Sequence, residues 1–201
     1  MARTISQRMT HQHDGELVVF LIGMRINRPW RPDLWLPVFG AMPGMLAELA
    51  RDPDSGLLGW RTVFSPTGPW LVQYWSSAEK LYAYASDLDA QHRPAWTAFN
   101  KRARKAPGAV GIWHETYVVE RAESIYVGMP PVGLGKATSL VPVAHRGDRA
   151  LQRLAAGATQ LDAKFVVAGA GGGIACPACQ DSRPPDTAIS DLQGPSATRR
   201  C

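Results

Sequence analysis

The chain has 201 residues, 45% hydrophobic and 19% charged, which is enough apolar material for one core and too little charge for a solvated, unfolded chain. Its net charge of +5 is spread as +1, +2 and +2 over residues 1–15, 16–140 and 141–201, so no basic domain emerges. Only Lys101, Arg102, Arg104 and Lys105 cluster, and the dipole and free carbonyls at a helix C-terminus account for cations there, so a nucleic-acid partner is not expected.

Residues 1–15 are polar and aperiodic and read as a flexible arm. Residues 16–27 are rich in Val, Ile, Leu and Phe, which predicts the first strand; the apolar run within it is too short to span a bilayer, and no signal-peptide pattern surrounds it. The expectation is a cytoplasmic protein with no membrane partner. Pro32 and Asp33 can open a helix whose apolar residues recur at helical spacing to Leu49, although Pro37 and Pro43 predict a kink or two short helices. Residues 57–64 and 69–75 read as a hairpin around a four-residue loop, Ser65 to Gly68. Ser76 or Ser77 then caps a helix over residues 77–88, and Arg93-Pro94 separates it from a second helix over 94–105, with His92 at the junction. Residues 110–120 form the fourth long strand; alternation puts His114 with Val110, Ile112, Thr116 and Val118, opposite Trp113, Glu115, Tyr117 and Val119. A brief strand at 124–127 and an irregular strap, MPPVGLG, follow. Residues 141–201 are low in complexity and read as largely disordered and removable, with one short helix at 148–156. All three cysteines lie in this tail; the pair in Cys176-Pro-Ala-Cys179 has no second pair to complete a zinc site, so no metal is expected.

The order strand, helix, strand, strand, helix, strand predicts an α+β chain with the split βαβ arrangement of ferredoxin-like folds, a four-stranded antiparallel sheet with helices on one face. The bare face is apolar, which predicts a homodimer. The segments VVFLIGMRINR, MPGMLAEL, LGWRTVF, GPWLVQYW, HRPAWTAFNKRAR, GIWHETYVV and ESIYVGMPPVGLGKA make residues 16–140 resemble the small monooxygenase-like family related to antibiotic-biosynthesis monooxygenases. That resemblance implies a dimeric α/β barrel with a pocket between helices and sheet in each subunit, and oxidation of an electron-rich or enolisable small molecule by O2 with no cofactor favoured.

The chemistry needs a proton acceptor, donors for an oxyanion and an apolar chamber. His92 and His114 are the candidate bases, Asn100, Arg93 and Trp96 the candidate donors, with His92, Trp96 and Asn100 at four-residue spacing. Trp60, Trp75, Trp113, Tyr74 and Tyr117 are candidate walls for an apolar or aromatic substrate, and each also fits ordinary strand packing. The same imidazoles leave open a non-covalent haem enzyme of the aldoxime-dehydratase type, since no CxxCH attachment motif occurs, or a non-catalytic ligand-binding dimer.

Overall fold

The structure is a computed structural model that describes residues 3–90 and 92–156. The chain divides into two units, Met1–Ala170 and Gly171–Cys201, and every described residue belongs to the first. The cysteines and the glycine-rich GAGGG segment lie outside the described residues. In chain order the elements are β1 (Met9–Gln12), β2 (Leu17–Ile26), α1 (Pro32–Arg51), β3 (Leu57–Ser65), β4 (Gly68–Trp75), α2 (Ala78–Ser86), α3 (His92–Lys105), β5 (Val110–Val119), α4 (Leu134–Ala137), β6 (Ser139–Pro142), a single 3-10 turn (Val143–His145) and α5 (Ala150–Ala156).

Strands β3, β4, β2 and β5 form one antiparallel sheet in that order, with β2 and β4 central, which is the ferredoxin-like arrangement. The hairpin between β3 and β4 is tighter than the proline and glycine pattern suggested. Ser65 pairs with Gly68, which leaves a two-residue turn; Gly68 supplies the positive φ of 143° and the Ile26 N–H donates to the Thr67 carbonyl. Register sets the faces. Val18, Phe20, Ile22 and Met24 of β2 share one face with Ile112, His114, Thr116 and Val118 of β5 and with Leu71, Gln73 and Trp75 of β4. Helices α1 and α2 close on this face through a core of Val18, Leu49, Trp75 and Leu81, each side chain contributing roughly 1.5–3 kcal/mol by leaving water.

The two helical expectations need correction. Helix α1 is a single helix from Pro32 to Arg51 with Pro37 and Pro43 inside it, so the alternative of two short helices falls. Both prolines, and the residues four earlier whose carbonyls they leave without a donor, Asp33 and Phe39, lie on the exposed side, where water can take the lost bonds. Helix α2 stops at Ser86, two residues early, and α3 starts at His92 instead of Pro94. Proline in a first turn loses an N–H that had no intrahelical acceptor anyway, so Pro94 does not delay the helix.

The flanks also differ from expectation. The segment expected to be a flexible arm contains β1, paired antiparallel with β6, which straddles the expected start of the tail at residue 141; Thr10 faces Val141. In place of a strand at 124–127 there is a single bridge from Tyr126 to Met9. Thr10 is fully buried and donates to the Ser124 carbonyl at 2.8 Å. Buried Arg153 of α5 donates to Glu123 and to the carbonyls of Gly147 and Asp148. Side-chain hydrogen bonds between distant segments, which apolar periodicity cannot reveal, hold this flank together. The irregular strap ends in α4, which lies on the second face of the sheet: Gly59 meets Ala137, and Tyr126 Oη accepts from the Gly135 N–H at 2.8 Å. The face expected to be bare is thus covered at its β3 edge.

Candidate functional site

The site is built where α2 ends and α3 begins. Ser77 Oγ accepts from the Lys80 N–H at 3.1 Å and Glu16 Oε1 accepts from the Ala78 N–H at 3.1 Å, so the first turn of α2 is capped twice and tied to the start of β2. That anchoring fixes Tyr84, whose ring lies 6.4 Å from Trp75 and 6.4 Å from His92 by ring centroids. Tyr84 Oη donates to Glu48 Oε2 of α1 at 2.8 Å. Burial, then that bond to a carboxylate, pushes the Tyr84 hydroxyl well above its usual range, so it stays protonated and donates.

His92 stands half-buried in the first turn of α3, and its Nδ1 is buried without a hydrogen-bond partner among the described residues. Burial, then the Arg93 charge and His114, lowers its pKa below the ordinary 6.5, with the Ala85 carbonyl opposing. A neutral imidazole with an open lone pair or an undonated N–H is therefore held beside the sheet. His114 sits on β5 opposite Ile22, on the helix-bearing face as alternation required, with its ring 5.7 Å from Phe20. It is more exposed than His92.

The other predicted residues fall in different places. Because α3 is continuous, His92, Trp96 and Asn100 do form one stripe, but the face of α3 that meets α1 carries Phe99, Arg102 and Ala103, which with Ala106 just past its end and with Leu34 and Val38 line a shallow cleft. Trp96 is 37% exposed and stacks on Phe99 at 5.5 Å; Asn100 is half-buried about 12 Å along the axis from His92, at 1.5 Å rise per residue. Arg93 is exposed. Trp75 is a core residue, 1% exposed, its Nε1 donating to Gln73 Oε1 at 3.0 Å. Trp60 lies at the β3 edge, paired with Gln73, on the histidine side; Tyr74 and Tyr117 lie on the opposite face with Trp113, which packs against Trp70 at 6.2 Å. Sequence reasoning passed over Tyr84 and Glu48. In the sequence Tyr84 fits the apolar face of α2, although a buried phenol needs a partner and Glu48 is the one acid in the second half of α1.

A neutral imidazole with a buried, unpaired ring nitrogen is a group that can accept or donate a proton. Among the described residues no group of three or more His, Cys, Asp or Glu is placed to hold a metal ion. The family model of Monooxygenase af470-like proteins matches residues 17–134. The chain belongs to the af470-like monooxygenase family. Monooxygenase af470 of Aspergillus fumigatus is 30% identical over 145 residues, covering 67% of this chain and 50% of that protein, so the chain spans half the length of that relative. Among solved structures, SnoaB, a cofactor-independent oxygenase from Streptomyces nogalater, is similar over 54% of this chain and 97% of that one at 11% identity and a TM-score of 0.39. A dimeric ferredoxin-like protein of unknown function from Thermobifida fusca aligns over 54% of this chain and all of its own (100%) at 15% identity and a TM-score of 0.37. The af470-like match covers β2 through the start of α4, and so includes His92, His114, Tyr84 and Glu48.

Proposed function

We propose that this af470-like chain is an oxygenase that acts on an enolisable or phenolic small molecule, with His92 as the proton acceptor. The observation that carries this reading is the buried, unpartnered Nδ1 of a neutral imidazole next to a protonated tyrosine. Leaving a buried polar atom unpaired costs about 1–3 kcal/mol, a cost that a substrate proton or acceptor can remove. His92 takes a proton from an active methylene; the carbanion gives one electron to O2, and the two radicals combine and are protonated to a hydroperoxide. Loss of water then leaves a carbonyl, so the methylene and one molecule of oxygen become a ketone and one molecule of water. The substrate carbanion is itself the reductant, so the scheme needs no bound cofactor. His114, on the same face and electrostatically coupled to His92, orients the substrate oxygen against Phe20.

The uncovered part of the second sheet face supports a homodimer. Val19, Leu21, Trp70, Val72 and Trp113 cluster there, with Tyr117 51% exposed, and a stable pair would bury roughly 1,600 Å² in total. An oxygen electrode with an anthrone-like substrate tests the chemistry. His92→Gln should lose ~10²–10⁴-fold in turnover, the scale of general-base catalysis, while His114→Gln loses less and shows it mainly in KM. Parental turnover in His92→Gln contradicts the assignment, and a Soret band in the purified protein would reassign the imidazoles to haem ligation.

A further inference from the structure

We propose that the outer face of α1 and the basic rim beside it dock on an anionic membrane surface. Helix α1 has no charged residue between Asp33 and Glu48. Its inner side uses Leu46 and Leu49 in the core. Its outer side is also apolar: Leu36 is 50% and Phe39 38% exposed, and Pro37, Gly40 and Pro43 complete that surface. Trp30, in the loop leading into the helix, is 72% exposed. A helix apolar on all sides is expected to be covered, and an indole at the edge of such a face suits the boundary between headgroups and acyl chains.

Charge identifies the cover. Arg28 reaches the Pro107 carbonyl at 3.5 Å and Asn27 Nδ2 donates to the Gly108 carbonyl at 3.0 Å, so the Trp30 loop abuts the basic end of α3. Arg28, Arg104 and Lys105 thus flank the Trp30 loop that leads into the apolar face, and the nearby Asp33 is already held by both arms of Arg31 at 2.9 and 2.7 Å. Cations around an apolar patch match phospholipid phosphates over a neutral protein surface. Among the described residues no helix is long and apolar enough to cross a membrane, so the contact is peripheral. The expectation of no membrane partner came from the lack of a spanning segment, which does not bear on this face.

Co-sedimentation of the full chain with phosphatidylcholine vesicles, with and without phosphatidylglycerol, tests the proposal. The expected result is binding that needs phosphatidylglycerol and weakens with salt. Arg28→Ala and Lys105→Ala should each lower partitioning roughly fivefold, and Trp30→Ser with Phe39→Ser about tenfold or more, at unchanged melting temperature. Trp30→Ser alone, in an exposed loop, keeps the test open if the double variant misfolds. No binding to phosphatidylglycerol vesicles, or binding indifferent to Trp30, overturns the proposal. So does light scattering that shows Trp30→Ser turning a dimer into a monomer, since the face would then belong to a second copy of the chain.

Discussion

Arg153→Ala should unfold the chain at a markedly lower temperature. The guanidinium is 4% exposed by its side chain and its partner Glu123 26%, and it also donates to Gly147 at 3.2 Å and Asp148 at 2.7 Å. Removing one member of a buried pair leaves the other charge uncompensated and typically costs about 3–5 kcal/mol; partial access of water to Glu123 argues for the lower end, about 3 kcal/mol. For a domain of this size each kcal/mol moves the midpoint by about 2–4 °C, so a drop of roughly 6–12 °C is expected. The assay is a reversible thermal melt followed by circular dichroism, with Arg8→Ala as the control, because the Arg8–Asp148 pair is 3.8 Å apart with side chains 52% and 79% exposed. A chain ending near residue 143 should fall as far, against the expectation that residues 141–201 are dispensable. A melt of Arg153→Ala within a degree or two of the parent would refute the idea that this pair fixes the β1, β6 and α5 flank.

Three further outcomes are expected. His11 is 3% exposed, with Nδ1 at 2.7 Å from Ser124 Oγ, and burial, then Arg146 and His13, lowers its pKa from 6.5 to about 4 against an opposing Glu123. The unfolded chain therefore binds a proton that the folded chain refuses between those values, so stability is full above pH 6.5 and falls toward pH 4 by about 3 kcal/mol, a slope His11→Asn should flatten in urea titrations. Gly23→Ala on the central strand would put a Cβ 2.6 Å from Trp70 Cβ and 2.7 Å from Trp113 Nε1, and should cost about 1–3 kcal/mol in chemical denaturation. Tyr84→Phe should lose about 1–2 kcal/mol with the Glu48 bond, and lower the rate of oxygen uptake by loosening the wall beside His92.

The sheet was legible because β2, β4 and β5 are long, β-branched and aromatic runs bounded by turn residues, and because period-two alternation placed His114 opposite Trp113 without any knowledge of pairing. Helix bounds around Pro37, Pro43 and Pro94 were less legible, since the cost of a proline depends on where the freed carbonyl points. The β1–β6 pair was hidden for a different reason: its four-residue strands are fixed by Thr10, His11 and Ser124 reaching across the chain, a polar and non-local code with no periodicity. At the site, the histidines were visible from residue type, but Tyr84 and Glu48 come from separate helices whose contact only tertiary packing decides. Trp75 shows the converse: its type suited a chamber wall and its register put it in the core.

The central claim is that His92 is the base, and the pH dependence of kcat/KM for oxygen consumption tests it most directly. That ratio reports ionisation of the free enzyme, and burial beside Arg93 holds the His92 imidazole below 6.5. The expected profile has an acid limb with a midpoint below pH 6.5 that disappears, along with most of the rate, in His92→Gln. A limb that persists unchanged in His92→Gln at parental rate would contradict it.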